Sequence, residues 1–465
     1  MEFNSHTMKI ALHYKLLFHT TILTLFLSGT GCQQNLQDES ESKPNILVIL
    51  TDDQGTIDLN CYGAEDLTTP NLDQLATSGI RFTQFYAGSA VCSPSRACLM
   101  TGRYPHFAGL PSNASSEKDH GRGMPGEQIT MAEVFKSAGY RTGHVGKWHL
   151  GYTPEMMPNQ QGFDYSFGHM GGCIDNYSHF FYWRGPNRHD LWRNGEEIWQ
   201  DGEFFPDLMV DEVNQFIEKN QSSPWFLYWA INVPHYPLQG TKKWRDHYQD
   251  LSSPRNKYAA FVSTMDEKIG EVLENLSDLG LTENTIVVFQ SDHGHSVEER
   301  TFGGGGNAGP YRGAKTSLFE GGIRVPAIIS WPDQIEGNQT RNQLVTSADW
   351  LPTLVDLAVI EPLQHQINGK SIVSVLNSDD AISPHNYFHW AMGNDQWAVR
   401  KGEWKLIGYP RDPTQEVMLT GSDTLFLVNL DQDPGEKKNI REYHPGKTQE
   451  LLEIHHQWLN QYQNN

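Results

Sequence analysis

The chain has 465 residues, 38% of them hydrophobic and 11% aromatic, so it can bury a sizeable core and is not an intrinsically disordered protein. Its length has room for one large α/β domain and a smaller one. The formal net charge of −21 argues against DNA or RNA as a partner, because nucleic-acid-binding proteins are usually basic. This charge leaves open a small anionic substrate in a locally basic pocket.

Residues 1–43 are predicted to precede the folded protein. The first seven are typical of a tag remnant ahead of Met8, and the basic start and short apolar run that end at Cys32 are typical of a signal peptide. The residues that follow, up to 43, form a polar linker. We therefore expect an exported protein that is periplasmic, anchored to the outer membrane by a lipid on Cys32, or secreted. The apolar run is too short to leave a transmembrane span in the mature chain.

Four segments share an apolar, β-rich run that ends abruptly in polar residues. They are 45–53, 140–151, 224–235 and 284–295. Such near-continuous apolar runs are typical of parallel strands that are covered on both faces. Helical patterns lie between them, at 68–79, 130–140 and 257–280. The alternation predicts a doubly wound α/β/α sandwich over residues 44–379.

The pattern changes in the last part of the chain. Residues 396–409 alternate between apolar and polar and have a turn at Lys401-Gly402, which predicts an antiparallel hairpin. Another strand is predicted at 424–430, and an amphipathic helix at 448–462. Residues 380–465 are therefore predicted to form a smaller α+β subdomain with an antiparallel sheet and a helix.

Carboxylates gather at the ends of two of the predicted strands. Asp52 and Asp53 follow the first strand, and Asp292 with His293 follows the last. The carboxyl ends of the strands in such a sheet are where ligands bind, so we expect these side chains to meet. Adjacent carboxylates are tolerated when a cation bridges them, and oxygen ligands suit Ca²⁺ or, less well here, Mg²⁺. The alternative is that Asp52 and Asp53 only cap a turn.

Basic side chains are predicted at the same edge of the sheet. They are Arg96, Lys147, His149, His235 and Lys315. Together, facing a metal ion, they describe a socket for a tetrahedral oxyanion. Taken singly, each of them is better explained by a solvated surface group or a hydrogen-bonded loop histidine.

The segment CSPSRACLMTGR at 92–103 resembles the signature of the type I sulfatases, the formylglycine-dependent branch of the alkaline-phosphatase-like superfamily. Other segments resemble further blocks of this family, in the family's order: NILVILTDDQG at 45–55, TPNLDQLATSGIRFTQFY at 69–86, GYRTGHVGKWHLG at 139–151, SDHG at 291–294 and RGAKTSLFEGGIRVP at 312–326. The resemblance implies an alkaline-phosphatase-like fold and a sulfuric ester hydrolase, with 44–379 as its catalytic domain.

The resemblance also implies a modified residue. A formylglycine-generating enzyme would oxidise Cys92 to Cα-formylglycine, whose aldehyde hydrates to a gem-diol. One hydroxyl would attack sulfur and expel the alcohol, and the other would collapse the adduct and release sulfate. A serine would instead become a stable sulfate ester.

Site roles follow from the same resemblance. Ca²⁺ would be bound by Asp52, Asp53, Asp292 and His293 together with the modified Cys92; many relatives have Asn in place of His293. Arg96 would hold the gem-diol, and His149 would assist the elimination. Lys147 and Lys315 would bind sulfate oxygens, and His235 with Lys315 would protonate the leaving alcohol.

The residues from 168 to 192 are rich in His, Asn, Arg, Tyr and Trp, which suit a saccharide through ring stacking and hydrogen bonds. The candidate substrate contacts are His106, Asn176, His179, Trp183, Arg184 and Trp390. For the aromatic residues, the alternative is ordinary loop packing. We expect an exo-acting enzyme on a sulfated oligo- or polysaccharide, with a marine galactan such as carrageenan before a fucan or a glycosaminoglycan.

Two other functions stay open at this point. One is a phosphodiester or phosphonate monoester hydrolase of the same superfamily, which can share the Cys-x-Pro-x-Arg pattern. The other is an inactive paralogue that binds sulfated glycan without cleaving it. A panel of sulfate and phosphate esters distinguishes the first, and the mass of the Cys92 peptide bears on the second.

Overall fold

A mixed sheet of ten strands forms the centre of the protein. The structure is a computed structural model that describes residues 43–117, 121–182, 187–361, 363–393, 395–419 and 424–464. In these residues, the strands of all sheets are, in chain order, β1 (Asn45–Thr51), β2 (Ile80–Phe82), β3 (Phe85–Tyr86), β4 (Arg141–Lys147), β5 (Tyr165–His169), β6 (Phe180–Phe181), β7 (Arg188–His189), β8 (Trp192–Arg193), β9 (Glu196–Glu197), β10 (Trp225–Ala230), β11 (Thr285–Ser291), β12 (Ala327–Ser330), β13 (Gln339–Arg341), β14 (Val345–Thr346), β15 (Phe388–Met392), β16 (Gln396–Lys401), β17 (Trp404–Gly408) and β18 (Leu425–Asn429). The α-helices are α1 (Pro70–Thr77), α2 (Cys92–Thr101), α3 (Met131–Ser137), α4 (Phe205–Asn220), α5 (Lys242–His247), α6 (Arg255–Asp278), α7 (Glu320–Ile323), α8 (Trp350–Leu357), α9 (Val373–Asn377) and α10 (Pro445–Gln463).

The order of strands in the main sheet is β13-β2-β12-β11-β1-β10-β4-β5-β8-β9. The five from β11 to β5 are parallel, and they include all four of the predicted apolar runs. Antiparallel pairs extend the sheet at both edges, through β12 on one side and β8 on the other. The α/β prediction is confirmed. The edge strands were not predicted, because two to four residues carry too little periodicity.

Helices cover both faces of this sheet, and the central strand shows why. Along β1, Ile46 and Val48 face one hydrophobic core, and Leu47 and Ile49 face the other. Successive side chains of a strand point to opposite faces, so an unbroken apolar strand needs a cover on each. Helices α2, α3, α8 and α9 supply apolar side chains to the first core, and α1, α4 and α6 supply them to the second.

Local signals set the helix starts that position these layers. Thr130 and Glu133 form the predicted capping box at the start of α3: each backbone N–H is bonded to the other's side chain, at 2.8 and 3.2 Å. Pro70 opens α1, where the missing backbone N–H costs no helical hydrogen bond. The predicted long helix is α6.

The C-terminal part has its own antiparallel sheet, in the order β15-β16-β17-β18. One face of it packs against α10, with Val399 and Leu406 beside Leu451. The other face packs against the main body through Ile407 and Phe426. The predicted hairpin, strand and closing helix are therefore all present, and the division at residue 379 stays a prediction.

The predictions for the first 42 residues, including the lipid on Cys32, lie outside the described residues. Among the residues that are described, none of the helices is long and apolar enough to cross a membrane. Cys61, Cys92, Cys98 and Cys173 are free thiols.

Candidate active site

The carboxyl ends of the parallel strands carry the predicted acidic residues. Asp52 and Asp53 follow β1, and Asp292 follows its neighbour β11. All three side chains are buried. Asp53 has a φ of 65°, a left-handed conformation that is uncommon outside glycine. Strained backbone of this kind persists where the surrounding structure holds it in place, often at functional sites.

Cys92 is the first residue of α2, and its side chain is buried beside the acidic residues. Its Sγ lies 3.2 Å from Nε2 of His293. Burial raises the pKa of the thiol, but the positive charges of Lys147 and Lys315 outweigh burial and lower the pKa well below its usual value. The sulfur is therefore held as an anion among positive groups, at a helix N-terminus that also favours negative charge.

Two overlapping sets of ligand atoms could hold a metal ion here, each within 4.8 Å. One set is Asp52, Cys92, Asp292 and His293; the other is Asp52, Asp53, Cys92 and His235. Oδ1 of Asp52 is buried and accepts no hydrogen bond from the described residues, although Nη2 of Arg96 lies 3.3 Å away in an ion pair. A bound cation would give this oxygen a direct partner.

Basic side chains pair with these carboxylates. Nζ of Lys147 lies 2.7 Å from Oδ2 of Asp52, and Nζ of Lys315 lies 2.8 Å from Oδ1 of Asp53. Arg96 is fully buried; its Nη2 lies 2.9 Å from Oδ2 of Asp292, and its Nη1 donates to the carbonyl of Lys147 at 2.9 Å. The predicted basic socket and the predicted acidic cluster therefore lie at one place.

The carboxyl groups differ in how well their charge is compensated. Burial raises the pKa of Asp52, but Lys147 and other cations reverse this and lower it well below its usual value. Burial raises the pKa of Asp53 to about 7, although Lys315 opposes it. Burial likewise raises the pKa of Asp292 to about 6. More negative charge is buried here than the side chains alone stabilise well, which favours a cation.

The histidines of the site take different charge states. Burial lowers the pKa of His293, but Asp292 and Cys92 outweigh burial and raise it to about 9. Burial lowers the pKa of His149 to about 4, so its ring is neutral at pH 7. His149 also has a left-handed φ of 54°. Burial lowers the pKa of His235, whose Nδ1 lies 2.9 Å from the carbonyl oxygen of Tyr236.

A pocket of about 360 Å³ opens onto Cys92. The predicted site residues that line it are Cys92, His149, His235 and Lys315. The other lining residues are Val91, Asn113, Ala114, Ser115, Ser116, Glu117, Arg122, Gly172, Cys173, Phe181, Tyr236, Glu298 and Thr316. The pocket can receive an anionic group next to residue 92, where a nucleophile would lie. Cationic side chains surround that group, and the neutral imidazoles of His149 and His235 line the pocket beside it.

Comparison with known proteins identifies the family. The Sulfatase family profile matches residues 44–360. The chain belongs to the sulfatase family. A second profile, N-sulphoglucosamine sulphohydrolase, C-terminal, matches residues 312–465. The protein is thus a sulfuric ester hydrolase with an alkaline-phosphatase-like fold.

Relatives match this sulfatase over most of their length. The N-acetylgalactosamine-6-sulfatase of Rattus norvegicus is 32% identical over 86% of this chain and 81% of its own. Arylsulfatase A of Homo sapiens is 33% identical over 88% of this chain and 86% of its own. The crystal structure of Ps i-CgsB in complex with k-i-k-neocarrahexaose has a TM-score of 0.80 at 28% identity, and covers 90% of this chain and 93% of that chain.

The structure places four of the candidate substrate contacts away from the lining of this pocket. His106 packs edge-on against Trp458 of α10. Asn176 is buried and bonded to Gln239 at 3.0 Å. The remaining two, His179 and Trp390, are also buried and bonded to backbone oxygens, those of Glu203 and Ala87 respectively. Trp183 and Arg184 lie outside the described residues.

The segment 113–117 forms one wall of the pocket and was not predicted from the sequence. Asn113 accepts a hydrogen bond from the backbone N–H of Ser93 at 3.1 Å, and the hydroxyl of Ser93 accepts one from Ala114 at 3.0 Å. These bonds fasten the wall to the first turn of α2. The segment has no periodic pattern, and only its position soon after α2 could have suggested a role.

Proposed function

We propose that this sulfatase removes sulfate from a sulfated saccharide in the pocket above Cys92. The observation that supports this most is the convergence of Cys92, three buried carboxylates and the cations Arg96, Lys147 and Lys315 at one end of the sheet. Cations placed around a tetrahedral group stabilise the charge that develops during its transfer.

A divalent cation, Ca²⁺ in our proposal, would be held by Asp52, Asp53, Asp292, His293 and residue 92. The donor set fits a hard cation, since carboxylate oxygens dominate it. His293 also fits, because its Nδ1 lies 3.0 Å from the carbonyl oxygen of Gly294 and keeps a proton there. A bound cation would displace the second proton from Nε2, which faces residue 92. When bound, such an ion would neutralise carboxylate charge and polarise oxygen atoms of the ester.

Cys92 is proposed to be the residue that a formylglycine-generating enzyme converts to Cα-formylglycine, whose hydrate supplies the nucleophilic oxygen. Arg96 is placed to orient this hydrate, because the Arg96 side chain is buried and donates hydrogen bonds to Asp292 and to the backbone carbonyl of Lys147. His149 is a neutral ring at the pocket wall, near enough to Cys92 to hydrogen-bond with it. It can accept the proton of a hydroxyl at residue 92 and so assist the release of sulfate.

Two lysines are proposed to bind the sulfate oxygens. Lys147 and Lys315 hold their ammonium groups at the carboxylates on either side of Cys92. Lys315 keeps its proton, because the charge of Asp53 outweighs burial and raises its pKa above the usual value. The carbonyl of Tyr236 places the proton of neutral His235 on Nδ1, so Lys315 is the better proton donor to the leaving alcohol. His235 can accept a hydrogen bond there through Nε2.

The substrate class is proposed from the pocket and from relatives. Polar groups of Asn113, Ser116 and Arg122 and the ring of Phe181 line the entrance, which suits hydroxyls and one apolar sugar face. Named relatives act on sulfated sugars or were crystallised with one, N-acetylgalactosamine-6-sulfatase and Ps i-CgsB among them. We propose an exo-acting enzyme on a sulfated galactan such as carrageenan, in an exported protein.

Sulfate release from defined oligosaccharides tests this proposal. Sulfated galactan, fucan and glycosaminoglycan fragments would be incubated with the enzyme, and sulfate and products separated by chromatography. Release from the non-reducing end of one class is expected. Turnover of aryl sulfates alone would contradict the saccharide assignment, and faster turnover of phosphonate or phosphate esters would contradict the reaction. Conversion of Cys92 is checked by a loss of about 18 Da from its peptide.

A further inference from the structure

A second group of potential metal ligands lies outside the lining of the pocket, where the β6–β7 hairpin meets the loop before α4. His179 precedes β6, His189 ends β7, and Asp201 lies in that loop. One ligand atom from each side chain lies within 4.8 Å of the other two. His179 and His189 are buried, whereas the carboxylate of Asp201 reaches solvent.

The distal nitrogen of each histidine ring faces an oxygen acceptor. Nε2 of His179 lies 3.1 Å from the carbonyl oxygen of Glu203, and Nδ1 of His189 lies 3.3 Å from Oε1 of Glu197. A carbonyl or carboxylate oxygen only accepts, so each ring places a proton on that distal nitrogen. Metal-binding histidines are held in this way, with the distal N–H donated to a carboxylate or a carbonyl.

The other two ring nitrogens therefore present lone pairs. Nδ1 of His179 and Nε2 of His189 are buried and have no hydrogen-bond donor among the described residues. Oδ1 of Asp201 lies 3.9 Å from Nε2 of His189 and adds a third acceptor. Burial lowers the pKa of His179, which keeps its ring neutral. Three acceptors that face one another without a donor leave buried polar groups unsatisfied, unless a cation lies between them.

We propose that His179, His189 and Asp201 bind a zinc-type divalent ion at a site separate from the acidic cluster beside Cys92. Two imidazole nitrogens and one carboxylate are ligands that suit Zn²⁺, and water can complete its four-coordinate shell. Ca²⁺ is the weaker candidate, because it prefers six to eight oxygen ligands. The ion would tie the hairpin, whose Phe181 lines the pocket, to the loop that contains Asp201. Its role is structural.

The test is Zn²⁺ binding to the full-length chain by isothermal titration calorimetry. A C92A background and millimolar Ca²⁺ suppress binding at the acidic cluster, so the result does not depend on the proposed catalytic mechanism. We expect one Zn²⁺ per chain, a rise in the unfolding temperature on Zn²⁺ addition, and an affinity at least ten times lower in H189Q and in D201N. H456Q, which changes an exposed histidine on α10, is the control and should bind as the parent does.

Two results would overturn this proposal. One is the absence of a Zn²⁺ site in the parent protein; the other is unchanged affinity in both H189Q and D201N. D201N keeps the test informative if H189Q fails to fold, since Asp201 is largely exposed. Co²⁺ gives an independent test. The visible absorption bands of four-coordinate Co²⁺ should appear when it is added to the parent protein and be absent when it is added to D201N.

Discussion

Two buried ionic clusters contain members of the same segment, 312–326, and they differ in what surrounds them. The active-site cluster joins Asp53 to Lys315 beside the pocket. The second cluster, which we call the junction cluster, consists of Tyr86, Glu320, Lys405 and Glu436. In it, Nζ of Lys405 lies 2.8 Å from Glu320 and 3.0 Å from Glu436, and the hydroxyl of Tyr86 donates to Glu320 at 2.6 Å.

Burial and altered pKa do not distinguish the two clusters. Burial raises the pKa of Glu436 to about 7, and it raises that of Asp53 to about 7 as well. Left-handed backbone does not distinguish them either, since Asp53 has a φ of 65° and Glu436 has a φ of 49°. The active-site cluster differs in the cavity above Cys92. The junction cluster connects β17 of the C-terminal sheet to Tyr86 and Glu320 of the main body. The open cavity, more than buried charge or backbone strain, therefore marks the reactive site.

The largest expected effect comes from removing the nucleophilic position. C92A should reduce sulfate release by about 10⁴-fold or more, since it removes the covalent route altogether, and it should leave the unfolding temperature close to that of the parent. Initial rates on a sulfated sugar and a thermal melt would be measured together. The matched control is C173S, which changes another thiol of the same pocket. Equal loss in both variants would show that Cys92 has no special role.

Removal of the cation from the junction cluster should act on stability instead. K405M leaves Glu320 and Glu436 buried without their shared partner, which we expect to cost about 3 to 5 kcal/mol of unfolding free energy. Activity per folded molecule should be retained, because the cluster does not line the pocket. Urea unfolding measures the change. The control is K401M, which changes an exposed lysine on the neighbouring strand. A loss of unfolding free energy in K405M as small as the loss in K401M would contradict the prediction.

Of the two ionic clusters, only the active-site cluster should respond to metal removal. Chelation is expected to lower sulfate release about 100-fold, because the carboxylates of Asp52, Asp53 and Asp292 would then repel one another. Ca²⁺ should restore activity, and Mg²⁺ should do so less well. Rates of sulfate release would be measured after dialysis against a chelator and again after Ca²⁺ or Mg²⁺ is added back. K401M would be treated in the same way as a control. Full activity in a chelated sample that contains no metal by elemental analysis would contradict a metal-dependent site.

The sequence was informative where regular structure determines position. Asp52, Asp292 and Lys147 could be placed together because each ends or follows a predicted strand, and the ends of parallel strands meet at one edge. The motif at 92–103 indicated the reaction, because its resemblance to the type I sulfatases implied catalytic roles for the site residues. The spacing of the residues alone does not give these roles. The fold class followed from the same strand and helix periodicity.

Positions in irregular segments could not be placed in this way. His106 and Trp390 were predicted to contact the substrate, but each packs elsewhere in the folded chain. The pocket wall at 113–117 has no periodic pattern to predict it. Lys405 alternates with apolar residues in its strand, a pattern typical of a solvent-facing position. The acids that surround it, Glu320 and Glu436, are distant in sequence.

The smallest expected effect is a pH dependence of stability that arises in the junction cluster. The usual glutamate pKa of 4.5 is raised to about 7 at Glu436 in the folded protein. Between these values the folded chain keeps a proton that the unfolded chain has lost, so this group makes stability fall as pH rises from about 4.5 to 7. Glu320 adds no slope in that window, because its folded pKa is lowered to about 2 and its contribution is lost only in acid.

E436Q isolates the contribution of Glu436 to the pH dependence of stability, because glutamine is uncharged and resembles the protonated side chain in shape. The unfolding free energy of E436Q relative to the parent should therefore increase with pH, by about 1 to 3 kcal/mol between pH 5 and 7.5. Urea unfolding at several pH values would measure the difference, in which the titration of the active-site acids cancels. E450Q, a change on the exposed face of α10, should run parallel to the parent. Parallel curves for E436Q would mean that Glu436 stays ionised beside Lys405, and that the junction cluster, unlike the active-site cluster, buries no surplus of negative charge.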